Sequence, residues 1–267
     1  MSAFWSRILI AIAGLPLVLG VVWLGGWWLF GLAAAATVVA LHEFAGMTRP
    51  LRPLMPAAYA GALLALFGAE AGGPGWALAG FLATFALALL LRLVADVRQA
   101  ATIAIGATVL GAAWIGVGLS HLLLLRDIPQ HARLAAFAVL LAVWAGDTAA
   151  YFTGRLIGRH KLIPVISPGK TWEGFFAGSV ATILVTFFAL YDDRKDFLSV
   201  WQALVLGVVL ALAAPAGDLF ESAVKRDMNV KDSGRLLAGH GGVLDRLDAF
   251  LFALPAAYWL LRGFGVG

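Results

Sequence analysis

Nine runs of mainly apolar residues, each about long enough to cross a bilayer, take up most of this chain and leave few architectures open to it. A spanning helix needs ~20 consecutive apolar residues, and the runs fall at 8–24, 27–46, 55–71, 76–94, 102–125, 134–152, 174–191, 200–218 and 247–262. The expected fold is therefore all-α: a polytopic integral membrane protein with about nine transmembrane helices. Composition agrees, since 62% of residues are hydrophobic and 13% charged, against about 25% charged in soluble domains. The first run follows a single Arg7 and lacks a small-residue cleavage site, so it reads as a retained span. Trp23, Trp27 and Trp28 flank the tight Gly25-Gly26 turn as an interfacial aromatic belt. There is no cysteine, which removes disulfides, Cys-zinc sites and thiol catalysis.

Charge sets the orientation. With a cytoplasmic N-terminus and nine crossings, 14 Lys and Arg residues fall on one side, among them Arg7, Arg49, Arg52, Arg92 and Arg98, and 5 on the other: Arg126, Arg133, Arg194, Lys195 and Arg262. The positive-inside rule supports that arrangement. The net charge of +4 is dispersed among loops between spans, so its partner is phosphate at a membrane surface rather than nucleic acid. Residues 1–130 read as a transmembrane scaffold, in which His42 and Glu43 form the one strong polar pair. An interfacial helix end accounts for that pair better than a site does. Residues 131–267 read as a transmembrane catalytic region with cytoplasmic loops at 153–173 and 219–246.

Polar residues crowd into 217–248, GDLFESAVKRDMNVKDSGRLLAGHGGVLDRLD. Asp218, Glu221, Ser222 and Lys225 fall at i, i+3, i+4 and i+7, so a helix carries them down one face. Lys231, Asp232, Arg235 and His240 then lie in a Gly-broken loop, and Gly241-Gly242 precede a helix opening with Asp245, Arg246 and Asp248. Glycines ahead of a helix start are expected to leave backbone N–H groups free for phosphate oxygens, with neighbouring carboxylates to hold a divalent cation.

A second polar region begins at Asp147, inside an apolar run where an unpaired carboxylate is costly. Tyr151 and Arg155 follow on a similar helix face, so an intrahelical network accounts for part of the pattern. Beyond them come Arg159, His160, Lys161 and the stretch Ser167, Pro168, Gly169, Lys170, Thr171, Trp172, Glu173, Gly174. Gly169-Lys170-Thr171 is not a P-loop: Pro164 stands where the motif's first glycine belongs, and no strand is expected before it.

The residues Ser222, Val224, Lys225, Arg226, Lys231, Asp232, Gly234, His240, Gly241, Gly242, Asp245, Arg246 and Asp248 resemble the signature of the phosphatidate cytidylyltransferases, and Asp147 to Gly174 resembles that family's other recurrent stretch. The resemblance covers about residues 140–250. One departure is Ala238, where the family usually has Pro or another small turn residue.

The resemblance implies a membrane enzyme that makes CDP-diacylglycerol and pyrophosphate from CTP and phosphatidic acid. Asp218 and Asp245 become the leading ligands of Mg²⁺, with Ser222 or Asp248 in support, Asp147 a further candidate and a second cation left open. The implied catalytic set is Asp218, Ser222, Lys225, Asp245 and Asp248. The implied substrate-binding set is Asp147, Tyr151, Arg155, Ser167, Lys170, Thr171, Arg226, Lys231, Asp232, His240, Gly241, Gly242 and Arg246. His240 either contacts phosphate or shapes its loop; beside one Asp it is a weak zinc pattern.

Partners are then CTP, phosphatidic acid and the bilayer, with a homodimer left open. The expected location is a bacterial cytoplasmic (inner) membrane with the site facing the cytoplasm. Two rivals stand: a CTP-dependent enzyme acting on another lipid, such as an archaeol phosphate or a polyprenol, and an ion-coupled transporter using Asp147 and Asp218. Crowding of polar residues at one end of the chain favours the enzyme.

Overall fold

A computed structural model describes residues 3–94, 101–190, 197–234 and 241–266, with side chains from residue 14 onward. The helices are α1 (Ala3–Leu24), α2 (Gly26–Met47), α3 (Met55–Gly72), α4 (Pro74–Val94), α5 (Ala101–Gly111), α6 (Gly118–Arg126), α7 (Ala132–Ile157), α8 (Trp172–Ala189), α9 (Val200–Asp227) and α10 (Leu244–Gly263). A π-helical segment, Ala112–Val117, joins α5 to α6 without a break. All-α architecture holds, apart from one antiparallel hairpin of β1 (Lys161–Ile163) and β2 (Ser167–Thr171), which pairs Lys161 with Thr171 and Ile163 with Ser167.

Among the described residues six helices are long and apolar enough to cross a membrane, against nine expected: α2, α4, Ala101–Arg126, α7, α8 and α9. The shortfall has a chemical cause at two places. Helix α10 opens with Asp245, Arg246 and Asp248, and α3 is diluted by Gly61, Gly68, Gly72 and Glu70. Both expected loops are also shorter than hydropathy suggested. Helix α7 continues to Ile157 and α9 to Asp227, because polar residues end an apolar run without ending a helix.

The chain forms two compact units, Met1–Leu124 with Asp227–Leu247, and Leu125–Arg226 with Asp248–Gly267. In the first, α3 packs on α2, on α4 and on the π-helical segment. Side chains there are small where backbones meet: a Cβ on Gly80 would strike the Leu64 carbonyl, and one on Gly61 would strike Thr84.

In the second unit, α7 and α8 form the main helix pair. Gly146, Ala150 and Gly154 face Gly174, Gly178 and Thr182, both rows spaced by four. A Cβ on Gly178 would come within 2.8 Å of the Gly146 carbonyl oxygen. Lipid gives helices no hydrophobic reason to associate, so close van der Waals packing of small residues must hold them. Thr182 adds an interhelical bond, its Oγ1 donating to the Ala142 carbonyl at 3.3 Å. Several large side chains point outward, among them Phe176 and Trp201 here and Trp76 and Leu93 in the first unit.

Candidate functional site

Among the described residues, carboxylates gather in each unit. In the second, the glycines that let helices approach also bring carboxylates together. A Cβ on Gly217 would strike the Asp248 carbonyl, so α9 and α10 touch backbone to backbone beside Asp218 and Asp248. Asp147 of α7 completes the group: Asp147, Asp218 and Asp248 each lie within electrostatic range of the other two. Asp147 is solvent-accessible although ringed by protein atoms. Asp248 is nearly buried, and its Oδ1 accepts from the Ala249 N–H at 2.7 Å.

Lys170 enters this group from strand β2, with Nζ 2.8 Å from Asp218 Oδ2. Ser222, one helical turn along α9, donates to the other oxygen of Asp218 at 3.4 Å. One turn further, Lys225 donates to the fully buried Glu221 at 2.6 Å. The expected one-face arrangement of these four α9 residues is what α9 displays.

The hairpin that carries Lys170 is held at both ends. At its base, Trp172 N–H donates to the His160 carbonyl at 2.9 Å. The Glu173 carboxylate accepts from the His160 backbone N–H at 3.2 and 3.3 Å and from its Nδ1 at 2.7 Å. Thr171, extended at φ −129° and ψ 154°, is the N-cap of α8, and its Oγ1 accepts from Gly174 N–H at 3.2 Å. That bond satisfies one orphan donor of the helix start. At its tip, Arg226 Nε donates to the Ile166 carbonyl at 3.2 Å. The basic, hydroxyl-bearing connection read from the sequence is thus a braced hairpin: a strand does precede Gly169-Lys170-Thr171, which itself lies inside a second strand.

Three carboxylates gather about Lys170 at a partly exposed place. Carboxylate oxygens are the donors that a hard cation takes. Among the described residues no three His, Asp or Glu side chains converge closely enough to hold a metal ion alone. Mg²⁺ is ordinarily held through one or two carboxylates plus phosphate oxygens, a donor set to which Asp218, Asp248 and Asp147 are suited once phosphate is present.

The cluster of the first unit is built on Glu43, near the end of α2 and 6% exposed. Its Oε1 accepts from Val243 N–H at 3.0 Å, and its Oε2 from Leu244 N–H at 2.8 Å and Ser233 Oγ at 3.4 Å. Asp245 lies beside it. Its Oδ1 and Oδ2 accept from Ser233 N–H at 3.3 and 3.2 Å, and Oδ2 also accepts from Gly242 N–H at 2.7 Å. Gly241 has φ +78°, a left-handed conformation that suits glycine. The expectation that Gly241-Gly242 leave N–H groups free for phosphate does not hold for Gly242. The N–H groups of Gly242, Val243 and Leu244 are taken by two of the protein's own carboxylates, which complement the positive end of α10.

Other expected site residues are placed as follows. Tyr151 and Arg155 pair with each other on an exposed face, Arg155 Nη1 donating to Tyr151 Oη at 2.8 Å. Ser167 pairs with Ile163 in the hairpin. Lys231, Asp232 and Arg246 are exposed, as is Arg226. His240, together with Arg235 and Ala238, lies outside the described residues.

Sequence reasoning placed Glu221 on the polar face of α9 and weighed Glu43 as a helix end, without naming either of them, or Ser233, as a site residue. Glu43 did carry a signal, being a carboxylate at the end of an apolar run. Ser233 carried none, since its role depends on a partner remote in sequence.

Comparison with known proteins follows the same lines. The profile of the cytidylyltransferase family matches residues 5–264. A phosphatidate cytidylyltransferase of Staphylococcus haemolyticus is 46% identical over 150 residues, which is 56% of this chain and 56% of that relative. One of Bacillus subtilis is 40% identical over 185 residues, 68% of each chain. The match to the staphylococcal protein thus spans little more than half of its length.

Proposed function

This chain belongs to the cytidylyltransferase family, and from that premise we propose that it transfers the cytidylyl group of CTP to phosphatidic acid, giving CDP-diacylglycerol and pyrophosphate. The observation that carries the reading is the cluster in which Lys170 meets Asp218 beside Asp147 and Asp248. Such a cluster suits phosphates and the cation that accompanies them.

A phosphate monoester has a second pKa of about 6, so at neutral pH much of the lipid is already a dianion and no protein base is required. Its oxygen forms a bond to the α-phosphorus of CTP while the bond from that phosphorus to the bridging oxygen of the β-phosphate breaks. The electron pair leaves with pyrophosphate. The barrier is largely electrostatic, because two anions meet and charge builds on the leaving group.

Asp218, supported by Asp248 and Asp147, would hold Mg²⁺, which when bound neutralises phosphate charge and polarises the reacting phosphoryl group. Ser222 holds the Asp218 carboxylate in orientation. Lys170 is the cation nearest that carboxylate and is placed to exchange it for a phosphate oxygen. Lys225 and Arg226 at the end of α9, and the exposed Lys231 and Arg246, supply further positive charge, Arg as a bidentate donor and Lys as a point charge. Asp245 acts through the backbone it pins. We place the protein in a bacterial cytoplasmic membrane with this face toward the cytoplasm, where CTP is found.

The test is a radiolabelled-CTP assay of the full chain in detergent with a divalent cation and a panel of lipid phosphates. Formation of CDP-diacylglycerol and pyrophosphate from phosphatidate is expected. Transfer to a different lipid phosphate alone would move the assignment to the rival CTP-dependent enzyme, and no nucleotide turnover with any lipid would discard both.

A further inference from the structure

A buried ionised carboxylate persists only where hydrogen bonds replace its lost water, and Glu43 finds all of its described partners in one segment remote from it in sequence. Ser233 stands on one side of the Gly-rich loop, Val243 and Leu244 on the other. The same segment is cut to fit: a Cβ on Gly234 would come within 2.5 Å of Glu43 Oε1, and one on Gly242 would strike Glu43 Oε2. Two of the loop's glycines therefore make room for a carboxylate. Asp245 repeats the pattern from within the segment, bridging Ser233 and Gly242.

We propose that Glu43 is a positioning residue: a clamp that ties Ser233 to the first turn of α10, the turn that carries Asp245 and leads into Asp248 of the same helix. This rests on the functional reading above for its effect on turnover, but not for the clamp itself. The geometry explains why a carboxylate is required. Each oxygen accepts from a backbone N–H, and a glutamine amide offers one oxygen acceptor and an NH₂ group that can only donate. Glu43→Gln keeps the volume and loses one of the two backbone bonds together with the charge that complements the helix dipole.

The experiment compares the full-length wild type with Glu43→Gln, Gly242→Ala and the double variant in detergent. It reads hydrogen exchange of the 241–245 amides, thermal stability, and kcat and KM for CTP and phosphatidate. In Glu43→Gln the amides of Val243 and Leu244 should exchange at least ~10-fold faster. Its kcat per folded protein should fall about 10- to 100-fold, the loss typical when a group supporting a metal ligand is removed, while KM for CTP changes less. Gly242→Ala should reproduce both effects, and the double variant should fall well short of the product of the single losses, as expected of residues in contact.

Unchanged exchange at Val243 and Leu244 would overturn the clamp. Faster exchange with full kcat per folded protein would overturn the positioning role and leave Glu43 only a stabilising contact. If Glu43→Gln does not fold, Gly242→Ala carries the same two readouts. A wild-type protein inert toward CTP and phosphatidate would defeat the functional reading, while the exchange measurement would still decide the clamp.

Discussion

Lys170 Nζ stands 2.8 Å from Asp218 Oδ2, joining strand β2 to helix α9. Neither partner is buried, with side-chain exposures of 23% and 37%. A pair this open contributes only about 0–1 kcal/mol to stability, so its placement beside two further carboxylates calls for a chemical explanation rather than a structural one. A cation and carboxylates presented together, and still accessible, suit a ligand that carries both phosphate and metal.

Replacing Lys170 by Gln should therefore separate stability from activity. Thermal unfolding in detergent is expected to change by no more than the equivalent of about 1 kcal/mol. Turnover of CTP should fall about 10²- to 10³-fold, the scale of losing one preorganised electrostatic contact. A variant that keeps wild-type turnover would take Lys170 out of the site.

Asp218→Asn should abolish measurable turnover while the protein still elutes as a folded species. The wild-type protein in excess chelator should be equally inactive and should recover when Mg²⁺ is restored. Full turnover under chelation would remove the metal from the reaction, whatever the variant does.

Gly178→Ala tests the helix pair that frames Asp147. The added methyl would stand 2.8 Å from a backbone oxygen of α7 and 3.0 Å from the Ala150 methyl, neither of which can rotate away. A loss of about 1–3 kcal/mol is expected, the usual cost of overpacking, read as a lower denaturation midpoint in detergent. An unchanged midpoint would mean that α7 and α8 do not pack this closely.

Orientation can be read chemically because the chain has no cysteine of its own. Single cysteines at Val165, 87% exposed at the hairpin tip, and at exposed Asp232 should react with an impermeant thiol reagent only when the cytoplasmic face is open. Labelling from the opposite face of intact cells would reverse the proposed topology.

Much of this was legible in the chain. Each expected apolar run has a helical counterpart among the described residues, because a run of that length has few other ways to satisfy its backbone in hydrocarbon. The i, i+3, i+4, i+7 spacing from Asp218 to Lys225 carried directly into contacts, since neighbours one turn apart on a helix must meet. Helix ends were less legible. Hydropathy reports where hydrocarbon stops, whereas α9 continues to Asp227 on hydrogen bonds that polar residues make equally well.

What the sequence determined by itself was local and periodic: helical spans, a basic and acidic face on α9, and the motifs that mark the family. Only the tertiary structure decided which donors each carboxylate meets. Asp218 and Asp245 look alike in the sequence, yet one meets a lysine and stands among other acids while the other accepts backbone N–H groups. Glu43 reads as an interfacial helix end, yet it accepts backbone N–H groups some two hundred residues away. The reason is physical: a carboxylate's role follows from the donors that surround it, and folding chooses those donors across distances that no spacing rule spans.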